Sequence, residues 1–475
     1  MRMTTSLGMG ALATAAVLGI GCADEPDTTT TEELLRHNAF LPNYLPIHDD
    51  TGFFTTVNAD GNSIDLSGAF FQDIGANGRR CVSCHLPTAG WTITPEQVQG
   101  IFDLTKGGAI DEGFGLGAIF RTNDGSNSPE ADVSTLEARR SAYSMLLTRG
   151  LIRVSMPVPA TAEFELIAVD DPYGHSSAAD VSMFRRPLPS TNLRFLSTIM
   201  WDGRETQAVI RDGLLQQSND ATQGHAARPT PISAAQREDI VNFEMGLHTA
   251  QIHDDKAGPL DVQGALGGVG ALMSQVFYIG INDNFGDSHT GAAFTPIVFT
   301  IYNAWANLSG SSRNNRRAAI ARGQALFNTK NIDIEGVSGI NDEDAFGNPA
   351  VVHGTCTTCH NTPNSGNHSV VAPLNIGLVD ASERTPDMPL YTFRNKTTGE
   401  LKTVTDPGRA MISGKWKHIG RFKGPILRGL AARAPYFHNG SAANLADAVN
   451  FYDRRFHIGL SAGEKSDLVA FLQSL

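Results

Sequence analysis

The sequence predicts a mainly α fold, built as two small helical modules joined by long irregular loops. Three observations carry that reading: four segments with helical periodicity, three of them capped, no alternating apolar run long enough to build a sheet, and a cysteine–histidine pattern that occurs twice. The length of 475 residues allows two or three domains with enough core to fold without cross-links. The 37 Lys and Arg against 49 Asp and Glu leave a net charge of −12, with no long basic run. Nucleic acid is therefore excluded as a partner, because phosphate binding needs concentrated positive charge. An acidic surface suits solubility or docking of a basic partner.

At the N-terminus, residues 1–21 read as a signal peptide. Arg2 is followed by a small-residue apolar stretch from Gly8 to Ile20, too short to span a bilayer. Export to the periplasm follows. Cys22 stands directly after Leu18-Gly19-Ile20-Gly21, which resembles the cleavage box of bacterial lipoproteins. It is either a lipid-anchor site or an incidental cysteine behind an ordinary cleaved signal. Residues 22–50 are expected to form an acidic, Thr-rich tether, most plainly at Asp24–Glu33.

The helices come next. Ser233-Ala-Ala-Gln236 is a capping box, with Ile240, Phe243 and Leu247 following at helical spacing. Arg316 to Phe327 carries Ile320, Gly323 and Phe327 at steps of three and four. Asn444 caps a stripe of Leu445, Val449 and Tyr452. Ser461-Ala-Gly-Glu464 opens a terminal helix with Leu468, Leu472 and Leu475 on one face. Lys106–Pro129, Pro157–Pro189 and Gly258–Pro296 read as loops, and loops of that length wrap something.

A weak repeat organises the chain. Gly68-Ala-Phe-Phe71 precedes Cys81-Val-Ser-Cys84-His85, and Gly323-Gln-Ala-Leu-Phe327 precedes Cys356-Thr-Thr-Cys359-His360, with an insert from Asn331 to Ala350 in the second copy. A boundary near Ser309–Asn315 divides an N-terminal module, residues 51–310, from a C-terminal one, residues 311–475. Cys-x-x-Cys-His is the attachment signature of c-type haem. The two thiols add across the haem vinyl groups, and the next imidazole becomes the proximal iron ligand. A redox dithiol or a zinc site would not require His immediately after both pairs. Two covalently bound haem c groups are thus expected, at Cys81, Cys84 and His85 and at Cys356, Cys359 and His360, in two cytochrome c-type helical haem domains. Attachment alone does not separate electron transfer from catalysis; axial ligation does.

The run Phe422-Lys-Gly-Pro-Ile-Leu-Arg428 to Ala434-Pro435-Tyr436-Phe437-His438-Asn439-Gly440, with Trp201-Asp202-Gly203-Arg204, resembles the bacterial di-haem cytochrome c peroxidase and MauG superfamily. The resemblance covers roughly Leu66 to Leu475. It implies an oxidoreductase that reduces hydrogen peroxide at an open N-terminal haem, with electrons relayed through the second haem from a small cytochrome or copper protein. The MauG-like alternative oxidises residues of a partner protein. A third reading is a non-enzymatic electron carrier, and the long loops leave room for an oxygenase of a larger organic substrate.

Residue by residue, the resemblance implies the following. Tyr452 lies fourteen residues after His438, where peroxidases carry a Met ligand and MauG-type members a Tyr. It is a second-haem ligand or a core aromatic, with Met388 and Met411 as substitutes. Ile101 stands where a displaceable His would be, and no His falls between His85 and His175, so the first iron keeps an open face unless a remote His swings in. The distal Gln and Glu offsets after Trp201–Arg204 hold Arg211 and Ala221. Gln217 as positioning amide and His225 as proton shuttle replace them, with Asp220 in reserve; otherwise this is a polar surface loop. Arg204 and Arg428 pair with haem propionates or with ordinary carboxylates. Trp201 relays a hole between the macrocycles. A calcium ion between the domains is also implied, although Arg186 occupies the place of its Asn ligand.

Overall fold

The computed structural model describes Leu35, residues 38–110 and residues 113–475. The signal segment, Cys22 and the stretch Asp24–Glu33 lie outside the described residues.

The four expected helices form. Ser233 and Gln236 make the reciprocal capping box of Ala234–Gly246, and Ser461 and Glu464 that of Ala462–Gln473. Asn444 accepts from Asp447 N to cap Leu445–Phe456. The fourth, Ser312–Thr329, starts ahead of its apolar stripe because Ser311 caps it. It crosses the terminal helix so closely that a Cβ on Gly323 would sit 2.0 Å from Asp467 O and 2.7 Å from Phe471 Cβ. Gly323→Ala should therefore cost about 1–3 kcal/mol by forcing the helices apart, a loss read from denaturant unfolding.

The mainly α expectation needs correction: helices hold 32% and strands 16% of the described residues. Among the described residues the strands build five small sheets. The largest has four strands and includes Gly52–Asn58 paired antiparallel with Leu247–Asp254. These strands lack clean alternation because their buried positions are partly polar. Thr56 and Thr249 meet at 2.8 Å in the interior, satisfying each other where apolar residues would be expected. Inside the expected loop Pro157–Pro189 lie the strands Phe164–Asp170 and Val181–Arg185. The tether also needs shortening, since Phe40–Pro42 pairs with Ser63–Asp65 and buries Leu41 against Ile64.

Packing crosses the boundary drawn near residue 310. Leu260, Val298, Phe299, Tyr302 and Trp305 enter the same core as Phe327, Val449 and Phe471. Phe164–Asp170 forms one sheet with Leu390–Asn395 from the other half. Among the described residues no helix is long and apolar enough to cross a membrane.

Candidate haem sites

Each Cys-x-x-Cys-His motif folds as a single tight turn, Cys81–Ser83 and Cys356–Thr358. His85 N and His360 N donate back to Cys81 O and Cys356 O, each at 3.1 Å. That closure turns both thiols and the imidazole of a motif toward one wall. Cys81, Cys84 and His85 line one cavity. Cys356, Cys359 and His360 line a second.

All four thiols are free, and burial pushes Cys84 up to about 11 and Cys356 and Cys359 to about 12. His85 Nδ1 lies 3.1 Å from Trp91 O, and His360 Nδ1 lies 2.6 Å from Gly366 O. Gly366 adopts φ +75°, and a Cβ there would meet Phe299 at 2.9 Å, so glycine is what lets this carbonyl reach the ring. With Nδ1 committed to a carbonyl, Nε2 is the free nitrogen, the usual arrangement of a metal-binding imidazole. Burial lowers both histidines, His85 to about 4, which keeps them neutral as ligands must be. The repeat has a physical basis here. Phe70 packs on His85 at 6.1 Å and Phe327 on His360 at 5.8 Å, both tilted. Two free thiols and a neutral, oriented imidazole on the wall of a large cavity fit a covalently attached haem at each motif.

In the cavity that His85 lines, the Ile210–Gly224 helix contributes Leu214, Gln217, Ser218, Ala221 and Thr222, and His225 closes its C-terminus. The spacing of three and four residues makes this one helical face, which corrects the polar-loop alternative. Gln217 and His225 thus share the cavity of His85. Asp220 does not line it; its carboxylate accepts from Gln216 Nε2 at 2.8 and 2.9 Å instead. Ile101 is a core residue beside Phe102 and Val98. Among the described residues, His85 and His225 are the only histidines on this cavity's wall.

Sequence reasoning missed the partners of His225. Its Nδ1 is hydrogen-bonded to the buried Asp124 carboxylate, which is paired in turn with Arg79. Arg79 is fixed by carbonyls of Ala118 and Ile119, both at 2.8 Å. Burial alone would raise Asp124, but Arg79 and His225 outweigh it and hold the carboxyl below its usual range. Asp124 lies within the stretch Lys106–Pro129, a hundred residues from His225, and no local motif announces it.

Trp201 lines both cavities. Its Nε1 donates to Arg186 O at 2.8 Å, and its ring meets His438 edge-on at 6.1 Å. Arg204 borders the first cavity but is engaged with Asp202, at 3.0 and 2.7 Å. Asp202 is also bonded to Arg185, which forks onto Asp406 at 2.7 and 2.9 Å. Arg428 needs correction. It lines neither cavity; its buried guanidinium donates to Gly268 O at 3.0 Å and Asn364 O at 3.4 Å. Arg186, where the resemblance placed a calcium ligand, is buried and donates to carbonyls of Ile93, Arg149 and Arg433. Among the described residues no cluster of three or more His, Cys, Asp or Glu could hold a metal ion.

Tyr452 lines the second cavity on the same helical face as Leu445, Ala448 and Val449. Among the described residues no methionine lines that cavity. Met388 packs with Met145, Leu151 and Phe184, and Met411 packs in the core around Trp416. Neither reaches the cavity that Tyr452 lines.

No protein-family model matches the chain. It is 31% identical over 140 residues to the cytochrome-c peroxidase IdrP1 of Pseudomonas sp. (strain SCT), covering 25% of this chain and 36% of that protein. It is 32% identical over 132 residues to the cytochrome-c peroxidase IdrP2 of Denitromonas iodatirespirans, covering 26% and 36%. The cytochrome c peroxidase Ccp of Escherichia coli (strain K12) is 37% identical over 89 residues, 18% of this chain and 19% of Ccp. The chain thus spans about a third of the length of the first two curated relatives. A crystal structure of a MauG-like protein associated with microbial copper homeostasis aligns at TM-score 0.32 and 16% identity, covering 66% of this chain and 77% of that one. These sequence matches, together with the paired haem-attachment motifs, make part of the chain similar to cytochrome c peroxidases.

Proposed function

We propose that the protein is an exported, periplasmic di-haem c-type oxidoreductase that reduces hydrogen peroxide in the His85 cavity, drawing electrons through the second site from a redox partner. The observation that carries this is the shared cavity of His85 and His225, with Asp124 bonded to His225 Nδ1. Cys81, Cys84 and His85 would hold one haem and Cys356, Cys359, His360 and Tyr452 the other; when bound, the first supplies the iron at which peroxide is reduced. Asp124 holds His225 with Nε2 free. Nε2 then accepts the proton of the near peroxide oxygen and returns it to the far oxygen, which leaves as water. Gln217 orients the peroxide by hydrogen bonding. Trp201, on both walls, links the two cavities.

Tyr452 favours the second reading, a MauG-like oxidation of residues on a partner protein. A phenolate ligand supports oxidised iron, where Met would raise the potential for accepting electrons.

Electron paramagnetic resonance of the resting diferric protein tests both. One high-spin and one low-spin signal, both altered by one equivalent of peroxide, are expected. Two low-spin signals without response reduce the protein to an electron carrier; a resting low-spin first haem that turns high-spin in His225→Ala makes His225 a ligand instead. Tyr452→Phe should change the low-spin signal of the second haem, and an unaltered signal removes Tyr452 from its ligands.

A further inference from the structure

The His85 cavity holds a carboxyl that the proposed reaction does not use. Glu244 lies one turn after Ile240 on the Ala234–Gly246 helix, and both line the wall. It is 6% exposed, and its Oε2 has no hydrogen-bond partner. A carboxyl buried this way is costly and calls for a reason. Burial pushes it up to about 7, and the Ser190 hydroxyl alone pulls it back. That same hydroxyl lies 3.0 Å from His85 Nδ1.

We propose that Glu244 and Ser190 form a relay behind His85, making Glu244 a positioning residue that holds down the reduction potential of the first haem. The inference rests on His85 being the ligand of that haem. His85 Nδ1–H is shared between Trp91 O and Ser190 Oγ, so the Ser190 proton is free to turn toward Glu244. When the Glu244 carboxyl is ionised, negative charge at the end of this chain makes Nε2 a stronger donor. A stronger donor stabilises the oxidised iron more than the reduced. The second site is an internal control. His360 Nδ1 has the Gly366 carbonyl, and among the described residues no Asp or Glu lines that cavity.

The test is a spectroelectrochemical titration of the full di-haem protein. At a pH above about 8, where the Glu244 carboxyl is ionised, Glu244→Gln keeps the shape, removes the charge and should favour reduction of the first haem about tenfold, or about 59 mV upward, with the second haem unmoved. Ser190→Ala should shift the same haem in the same direction. The double variant should shift it no more than the larger single change, because both break one chain. Glu244→Asp should recover part of the shift. An unmoved first haem in Glu244→Gln, or equal movement of both haems, overturns the relay. If instead His85→Ala leaves the ligation spectrum of the first haem intact, the assignment of His85 itself fails.

Discussion

His225→Ala lowers the rate of reaction with hydrogen peroxide by about 10²–10⁴-fold, the usual contribution of a placed proton-transfer group. Stopped-flow mixing with excess peroxide reads this directly. The fold leaves few substitutes. Asp220, on the same helix, is turned to Gln216 and away from the cavity, and the offset at which the resemblance implies a Glu holds Ala221. Asp220→Ala should accordingly leave the rate unchanged. Asp124→Asn should slow the reaction by less than loss of the imidazole, because the ring remains but the charge fixing its Nδ1 proton is gone. Full activity in His225→Ala would mean that the cavity moves protons by another route.

Arg185→Met gives the largest stability loss, about 3–5 kcal/mol. Arg185, Asp202 and Asp406 are almost wholly shielded, at 2%, 0% and 0% side-chain exposure. With Arg204 the cluster balances two positive charges against two negative ones. Removing Arg185 leaves an uncompensated buried carboxylate. The double variant Arg185→Met/Asp406→Leu keeps the Asp202–Arg204 pair and should recover most of the loss, as measured by denaturant unfolding. A double variant as unstable as the single would show that packing, not charge, is responsible. The pH dependence has a definite sign. Although burial would raise Asp202, Arg185 and Arg204 bring it down to about 2 from an ordinary 3.8. Its contribution is therefore fully present above about pH 4 and is lost as pH falls toward 2.

What the sequence made legible was local. Capping boxes at Ser233 and Ser461 and the cap at Asn444 depend on neighbours three residues away, and each defined its helix. The same is true of both haem motifs, whose chemistry is contained in five consecutive residues. Gln217 and His225 stood out only as polar replacements near offsets that hold Arg211 and Ala221, and their stretch looked like loop because its polar side chains face a cavity rather than a packed core. Asp124, Arg79 and Glu244 were invisible, since long chain separations bring them together. The small sheets were missed for a related reason. Their interior Thr56 and Thr249 are made tolerable by a cross-strand hydrogen bond that periodicity does not reveal.

The interlocking of the halves has a consequence for biogenesis. A nascent chain leaving the ribosome has no partner for Phe164–Asp170 until Leu390–Asn395 arrives. Val298 to Trp305 must likewise wait for the terminal helix. The first cysteine pair therefore becomes accessible to the attachment machinery long before its surroundings can close. A fragment truncated after residue 310 would keep those apolar surfaces bare and should accumulate as aggregate rather than as a one-haem protein.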